Sequence, residues 1–294
     1  MAYRCVVLVK QVPDTSRITG EAMNEDGTVN RAALPAIFNP EDLNALELAL
    51  EIKEKFGGTV TAVTMGLPAA ANVLRDALFM GADDAVLVTD RKCAASDTLA
   101  TSYILSQAVK KIGYDIVLCG RQAIDGDTAQ VGPQLAEKLE IPQVTYVEEL
   151  NDIKDGELTC RRNIGNGWQD VKCKLPLLLT VTDEANEPRV SAAKRLMKFK
   201  KAKAPVEVQM EAKESGADAE AVCKELEDKG LLIKQFDLEQ IDADLQWCGR
   251  DGSPTKVHRI MSVVLTAKET KDVDPTQDAI NNMIHEMIED HTIG

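Results

Sequence analysis

The residues whose types and spacing could do chemistry lie together in Gly120-Arg121-Gln122-Ala123-Ile124-Asp125-Gly126-Asp127-Thr128-Ala129-Gln130-Val131-Gly132-Pro133. An apolar run, Asp115 to Cys119, ends at Gly120, a polar loop with two carboxylates follows, and a helical pattern opens near Thr128. A loop at the carboxyl end of a strand is where nucleotides bind in open α/β sheets. Exposed backbone N–H groups at a helix start suit phosphate or pyrophosphate. With Asp125 and Asp127 in the loop, an anion is accommodated only if backbone, not side chains, faces it. The same aspartates read equally as Asx-turn residues, and Asp127 as a complement to the helix dipole.

Other segments join this loop at one sheet edge. Lys10–Thr15 and Gly66–Pro68 follow strands, and Asn39-Pro40-Glu41-Asp42 opens a helix. Asn39 and Asp42 can bond an adenine or ribose, and Asn39 is also a good helix cap. Ser96 to Ser102 is a further helix start. There Thr98 and Thr101, three apart, can face one direction and offer two hydroxyls to a pyrophosphate or ribityl chain, or simply serve as a satisfied cap.

Several chemistries are excluded. There is no Gly-x-Ser-x-Gly elbow, no P-loop and no strict Gly-x-Gly-x-x-Gly, so no catalytic residue is expected. Seven cysteines at 5, 93, 119, 160, 173, 223 and 248 contain no C-x-x-C pair, which fits reduced thiols in a cytoplasm. His258, His285 and His291 are too late and too spread for a metal site. A net charge of −14 opposes a nucleic-acid partner, which needs a basic surface. No stretch of about 18 apolar residues exists, so no membrane span is expected, and no secretory leader pattern is seen.

The elements that must position these residues alternate through the first half. Strand patterns at Arg4–Val9, Thr59–Met65, Ala85–Thr89, Asp115–Cys119 and Gln143–Val147 are separated by helical patterns at about 41–56, 68–80, 97–112 and 128–139. This is the grammar of βαβ units: an α/β, Rossmann-like, doubly wound and mostly parallel sheet. Asn39 is expected to cap the first helix, with Pro40 at its first position, and Ser96 or Asp97 the third. Beyond Leu150 the turn dipeptides Asp155-Gly156 and Asn166-Gly167 predict antiparallel hairpins. Leu175–Thr182 is a strand whose Pro176 suggests that it begins at an edge. Three regions are expected: a nucleotide-binding α/β domain with its hairpin extension (1–190), an extended partner-contacting segment (191–267), and a C-terminal amphipathic helix (268–294). Lys194 to Lys203 carries six basic residues in ten, a solvated helix end or a contact for an acidic surface. Asp274-Pro275 is expected to start the last helix, with Ile280, Met283, Ile284, Met287 and Ile288 on one face.

The loop pattern G-x-Q-A-I-D-x-D-x-x-Q-x-G resembles that of the electron transfer flavoprotein beta subunit. Six further matches keep the family's order: Val9-Lys10-Gln11-Val12-Pro13-Asp14, Asn39-Pro40, Ala62-Val63-Thr64-Met65-Gly66, Met80-Gly81-Ala82-Asp83, Asn186-Glu187-Pro188-Arg189, and Gly252-Ser253-Pro254-Thr255-Lys256-Val257. The resemblance spans nearly all of residues 1–260. It implies an adenine nucleotide alpha hydrolase-like fold and an alpha-subunit partner. Its implied cofactor contacts are Leu8, Asn39 through Asp42, Met65 and Gly120 through Val131, with Gly120, Gln122, Asp125, Gly126, Asp127 and Thr128 in the loop and phosphate on Ala129, Gln130 and Val131.

The chain resembles the electron-bifurcating branch in Val12-Pro13-Asp14-Thr15, in the Asp26-Gly27-Thr28 turn, in Asn39-Pro40-Glu41-Asp42, in Ser96–Ser102 and in Asp125 through Gly132. That implies FAD here, reduced by NADH. Electrons then pass to ferredoxin or flavodoxin and, through the alpha-subunit FAD, to a flavin dehydrogenase or reductase, such as an acyl-CoA type. In simple family members AMP fills this place. Small residues at Gly126 and Ala129 leave room for the bulkier ligand. At 190–197 the chain departs from the family: Val190 replaces an aromatic, and Ala193 stands where a docking leucine is usual. The segment beyond about 268 exceeds the usual family end and is expected to clamp the alpha subunit or the dehydrogenase. A different class, a nucleotide-binding signalling module resembling universal stress proteins, would be a flavin-free homodimer.

Overall fold

A computed structural model describes residues 2–14, 34–256 and 272–289. The elements are β1 (Tyr3–Leu8), β2 (Gln11–Pro13), β3 (Ala36–Phe38), α1 (Pro40–Phe56), β4 (Gly58–Met65), α2 (Ala71–Met80), β5 (Asp84–Val88), α3 (Thr98–Ile112), β6 (Ile116–Gly120), α4 (Val131–Leu139), β7 (Gln143–Lys154), β8 (Glu157–Asn163), β9 (Trp168–Lys174), β10 (Leu177–Val181), α5 (Ala193–Phe199), α6 (Pro205–Ser215), α7 (Ala219–Asp228), β11 (Lys234–Phe236), α8 (Gly249–Gly252) and α9 (Gln277–Glu289). Thr15, the Asp26-Gly27-Thr28 turn, Val257, His258 and His291 lie outside the described residues.

The main sheet runs β11-β5-β4-β1-β6-β10-β7-β8-β9. All pairings from β11 to β7 are parallel, and β7-β8-β9 form an antiparallel extension. Strands β6 and β10 are buried along their whole length, as expected where helices cover both faces. One apolar core joins α1 and α2 to one face through Cys5, Val7, Val60, Leu118 and Leu179. The other joins α3 and α4 to the opposite face through Val6, Leu8, Val63, Val117 and Leu178. The chain winds from β1 to β4 and β5 on one side, then crosses back to β6 on the other. This Rossmann-like, doubly wound arrangement puts the topological switch point between the carboxyl ends of β1 and β6, where such sheets bind ligands.

Four expectations change. The helix expected from Thr128 begins at Val131, because Asp127 and Ala129 have left-handed backbone (φ 47° and 53°) that a helix cannot contain. Pro176 does not mark an edge: β10 lies between β6 and β7. The proline sits one residue before the strand, so its missing N–H costs no ladder bond. The last helix starts at Gln277, after Asp274-Pro275. Asn39 stands at the α1 cap position, but its side chain makes no capping bond; it is used elsewhere, as shown below. The Asp155-Gly156 hairpin is as expected, with positive φ at both residues.

The region after 191 returns to the sheet, where β11 pairs with β5. Within the basic run, Arg195 donates to the carbonyls of Leu78 and Ala82, pinning α5 on α2, while Val190 is 88% exposed. In α9, by contrast, none of the described residues is buried.

The Asn186-Glu187-Pro188-Arg189 motif has a local explanation. Asn44 and Glu47 lie three apart on α1 and so share a face. The Asn186 and Asn44 side chains each donate to the other residue's carbonyl (3.1 and 2.8 Å). The Arg189 guanidinium forks around the buried Glu47 carboxylate at 2.8 Å from each oxygen and reaches Glu54. The two glutamates push the Arg189 pKa up.

Candidate functional site

Asp42 organises the switch point. It is buried in the first turn of α1, and its two carboxylate oxygens accept from the backbone N–H of Lys10 and of Gly120, each at 2.9 Å. One side chain thereby ties the outgoing ends of β1 and β6 together. Gly120 is required at this contact: a Cβ there would lie 2.6 Å from Asp42 Oδ1 and 2.8 Å from the Glu41 carbonyl carbon. The 121–124 stretch is held just as closely. Asn39 Nδ2 donates to the Gln122 carbonyl (2.9 Å) and Asn39 Oδ1 accepts from Ile124 N–H (3.1 Å). Glu41 accepts from Gln122 N–H (2.8 Å) and pairs with Arg121 (2.6 Å). Lys10 Nζ reaches both oxygens of Asp125 at 2.7 and 2.9 Å.

Beyond Asp125 the loop changes character. The N–H groups of Gly126 and Asp127 turn back onto the Ala123 carbonyl. Among the described residues, the N–H groups of Thr128, Ala129, Gln130 and Val131 have no acceptor. Ala129 has φ 53°, and Gln130, which precedes α4, is right-handed at φ −96°, ψ −30°. Successive residues of opposite hand turn their N–H groups into one concavity, a geometry that holds anions, and here it leads onto a helix N-terminus. Three buried side-chain polar atoms have no partner among the described residues, and two of them belong to this loop and to α4: Arg121 Nε, a donor, and Gln134 Oε1, an acceptor; the third is Arg162 Nε on β8. The chain thus presents unused donors in one concavity, while Lys10 holds the charge of Asp125.

The other expected site residues fall around this loop. Leu8 is buried at the end of β1, and Met65 and Gly66 are partly buried at the end of β4. Pro40 is exposed at the start of α1. Asp97, not Ser96, caps α3, accepting from Ala100 N–H. Thr98 Oγ1 donates to Gln130 Oε1 at 2.8 Å, joining the starts of α3 and α4; Thr101 lies on the first turn of α3. Asp97 was one of the two expected caps, whereas sequence reasoning did not single out the Lys10 ammonium or Arg121 for these contacts. Two cations bracketing a loop with two carboxylates were the available signal for both.

Burial shapes the titration here. It pushes the Asp42 carboxyl up to about 7, against the pull of the Gly120 N–H, the Asn39 side chain, and the Lys10 N–H and charge. Burial also raises Glu41, opposed by Gln122 N–H and Arg121. A carboxyl raised on folding adds stability that is full below the unfolded value of about 4 and is lost as pH rises through the folded value. The Asp42 contribution to stability is therefore expected to fall between about pH 4 and pH 7 in wild type. An Asp42→Asn variant should have a flatter profile over that range, read from denaturant midpoints.

Gly126 supplies a second test. A Cβ there meets nothing within 4 Å, so Gly126→Ala should change stability by no more than about 0.5 kcal/mol. Gly126→Leu should lower retention of a bulky dinucleotide more than of a mononucleotide, measured as cofactor content after purification; equal loss of both would show that the space is not used.

The sheet order, its switch point and the loops gathered there define a Rossmann-like doubly wound α/β protein. A family model described as the electron transfer flavoprotein domain matches residues 26–214. The electron transfer flavoprotein subunit beta of Clostridium acetobutylicum is 39% identical over 288 residues, 98% of this chain and 99% of that protein. The acryloyl-CoA reductase electron transfer subunit gamma of Anaerotignum propionicum is 49% identical over 199 residues, 66% of this chain and 73% of its own length. A caffeyl-CoA reductase-Etf complex subunit of Acetobacterium woodii is 46% identical over 196 residues, 66% of this chain and 74% of its own. The chain belongs to the electron transfer flavoprotein family, on the beta-subunit side. Membership implies electron transfer in a flavin-associated complex with an alpha subunit. No helix among the described residues is long and apolar enough to cross a membrane.

Proposed function

We propose that this beta subunit binds FAD at the switch point between β1 and β6 and receives electrons from NADH. In this reading they are split between ferredoxin or flavodoxin and, through the FAD of the alpha subunit, a flavin dehydrogenase or reductase of the acyl-CoA type. The observation that carries the reading is the run of unused N–H groups from Thr128 to Val131, opposite in hand at Ala129 and Gln130 and leading onto α4. The open space beside Gly126 favours a ligand larger than AMP. Relatives named for acryloyl-CoA and caffeyl-CoA reductase complexes support a partner of that class.

When bound, the flavin supplies the redox chemistry, and the protein supplies position and electrostatics. Thr128 to Val131 would hold phosphate oxygens through backbone. Asp42 and Asn39 act mainly by fixing the loop, since their polar atoms are already engaged with Lys10, Gly120, Gln122 and Ile124. Leu8, Met65 and Gly66 would border the adenosine end, with Thr98 and Thr101 near the chain linking adenosine to the ring. The exposed basic residues of α5 and the Ile280, Ile284 and Ile288 stripe of α9 are surfaces for the partner chains.

Counting cofactors tests this. The chain is co-purified with its alpha subunit, the cofactors are released by denaturation, and FAD and AMP are measured per heterodimer. Two FAD and no AMP is the expected result. One FAD with one AMP would make this subunit a structural nucleotide binder in a simple electron shuttle.

A further inference from the structure

We propose that Ser253 is a positioning residue for the adenine-nucleotide site, acting on the N–H-rich loop through Asp97, Thr98 and Gln130; this rests on the reading of that loop given above. The motif Gly252-Ser253-Pro254-Thr255-Lys256 lies over 120 residues beyond the loop in sequence, yet it folds against the start of α3. Ser253 is buried. Its hydroxyl accepts from Asp97 N–H at 2.8 Å and donates to the Gly249 carbonyl at 2.6 Å, so both of its capacities are directed. Asp97 divides its carboxylate between Ala100 N–H, the helix cap, and Thr255 N–H, each at 2.9 Å. Gly249 N–H donates to Ser96 Oγ, which in turn donates to the Cys93 carbonyl.

The clamp has little slack. Gly249 has φ 61°, and a Cβ on it would lie 2.1 Å from the Lys92 carbonyl oxygen, so the 249–255 turn is pressed against the segment leading into α3. Asp97 is therefore held on three sides: its N–H by Ser253 and its two oxygens by Ala100 and Thr255. The next residue, Thr98, is the one that donates to Gln130 Oε1. Gln130 follows left-handed Ala129 and sits within the run of free N–H groups. The ligand addressed through this chain is the phosphate of an adenine nucleotide, and Ser253 sets how closely the loop is pre-shaped for it.

The test is a double-mutant cycle on the full-length chain, with AMP and FAD as probes in calorimetric titrations. Ser253→Ala and Thr98→Val are each expected to weaken binding about tenfold, and the double variant also about tenfold, because both cut one path. Amide hydrogen exchange at Asp127 and Gln134, whose N–H groups bond the Ala123 and Gln130 carbonyls, should speed up in all three, with the β1 and β4 amides unchanged. Asp97→Asn keeps an acceptor for Ala100 but loses the Thr255 bond; a smaller loss in the same direction is expected there, which guards against poor folding of the alanine variant. A hundredfold loss in the double variant would show independent effects and overturn the proposal, as would unchanged exchange at Asp127 and Gln134 in Ser253→Ala. A wild-type chain that takes up neither AMP nor FAD would fail the nucleotide reading; loop exchange in the variants would still decide whether Ser253 shapes the loop.

Discussion

Replacing Asp42 with alanine is expected to destabilise the protein by about 3 kcal/mol at pH 6, since two backbone donors, one buried and one partly buried, each lose an acceptor worth about 1–3 kcal/mol, and to strip the nucleotide from its site. The donors are the N–H groups of Lys10 and Gly120, which the buried carboxyl satisfies. The loss should narrow toward pH 8. Burial holds the Asp42 carboxyl at about 7, so by pH 8 the wild type has already lost the stability that its protonated form contributes below that value. Asp42→Asn retains one acceptor and should fall between the two. Denaturant midpoints at pH 5, 6, 7 and 8, with cofactor content measured on the same preparations, check all of this. An alanine variant that keeps its nucleotide at wild-type stability would remove Asp42 from its organising role.

Arg189→Ala is expected to cost about 2–3 kcal/mol while leaving nucleotide content unchanged. Removing one partner of a buried ion pair costs about 3–5 kcal/mol, reduced here because Arg189 is 30% exposed and solvent screens its side of the pair. Glu47 is left as a buried carboxylate on α1 without its fork of donors. Lysine should not restore the loss, because a single ammonium cannot reproduce the two parallel bonds. Combining Arg189→Ala with Glu47→Gln should recover part of it, since the buried charge is then gone. The measurement is a denaturant cycle of the four proteins with flavin absorbance recorded beside it. Loss of nucleotide in Arg189→Ala alone would mean that this pair supports the site as well as the fold.

Both predictions fall on motifs visible in the sequence whose contacts were not. Asn39-Pro40-Glu41-Asp42 reads as a capped helix start with acidic residues complementing the dipole. In the fold, Asn39 and Asp42 turn away from their own helix to satisfy the backbone of β1, β6 and the loop after it. Local propensity describes a helix by itself; here an unsatisfied strand end outbids it, because a buried N–H without a partner costs more than an uncapped first turn. Thr128 looked like a helix start by composition, but the left-handed residues at 127 and 129 delay α4 by three positions, and backbone hand is not written in side-chain periodicity.

The sequence by itself determined the alternation of strands and helices, the hairpin turn at Asp155-Gly156, the family and the segments that meet at the switch point. Hydrophobic period and turn chemistry act over a few residues, and motif order is read along the chain without any knowledge of contacts. Only the tertiary structure decided which polar groups spend themselves on the fold and which are left over. Asp42, Asn39 and Glu41 are consumed in holding the loop, while the N–H groups from Thr128 to Val131 stay unused. The reason lies in distance along the chain: partners such as Lys10 and Asp42, Gly120 and Asp42, Glu47 and Arg189, and Asp97 and Ser253 are dozens of residues apart or more, and a hydrogen bond is settled only when folding brings donor and acceptor within about 3.2 Å.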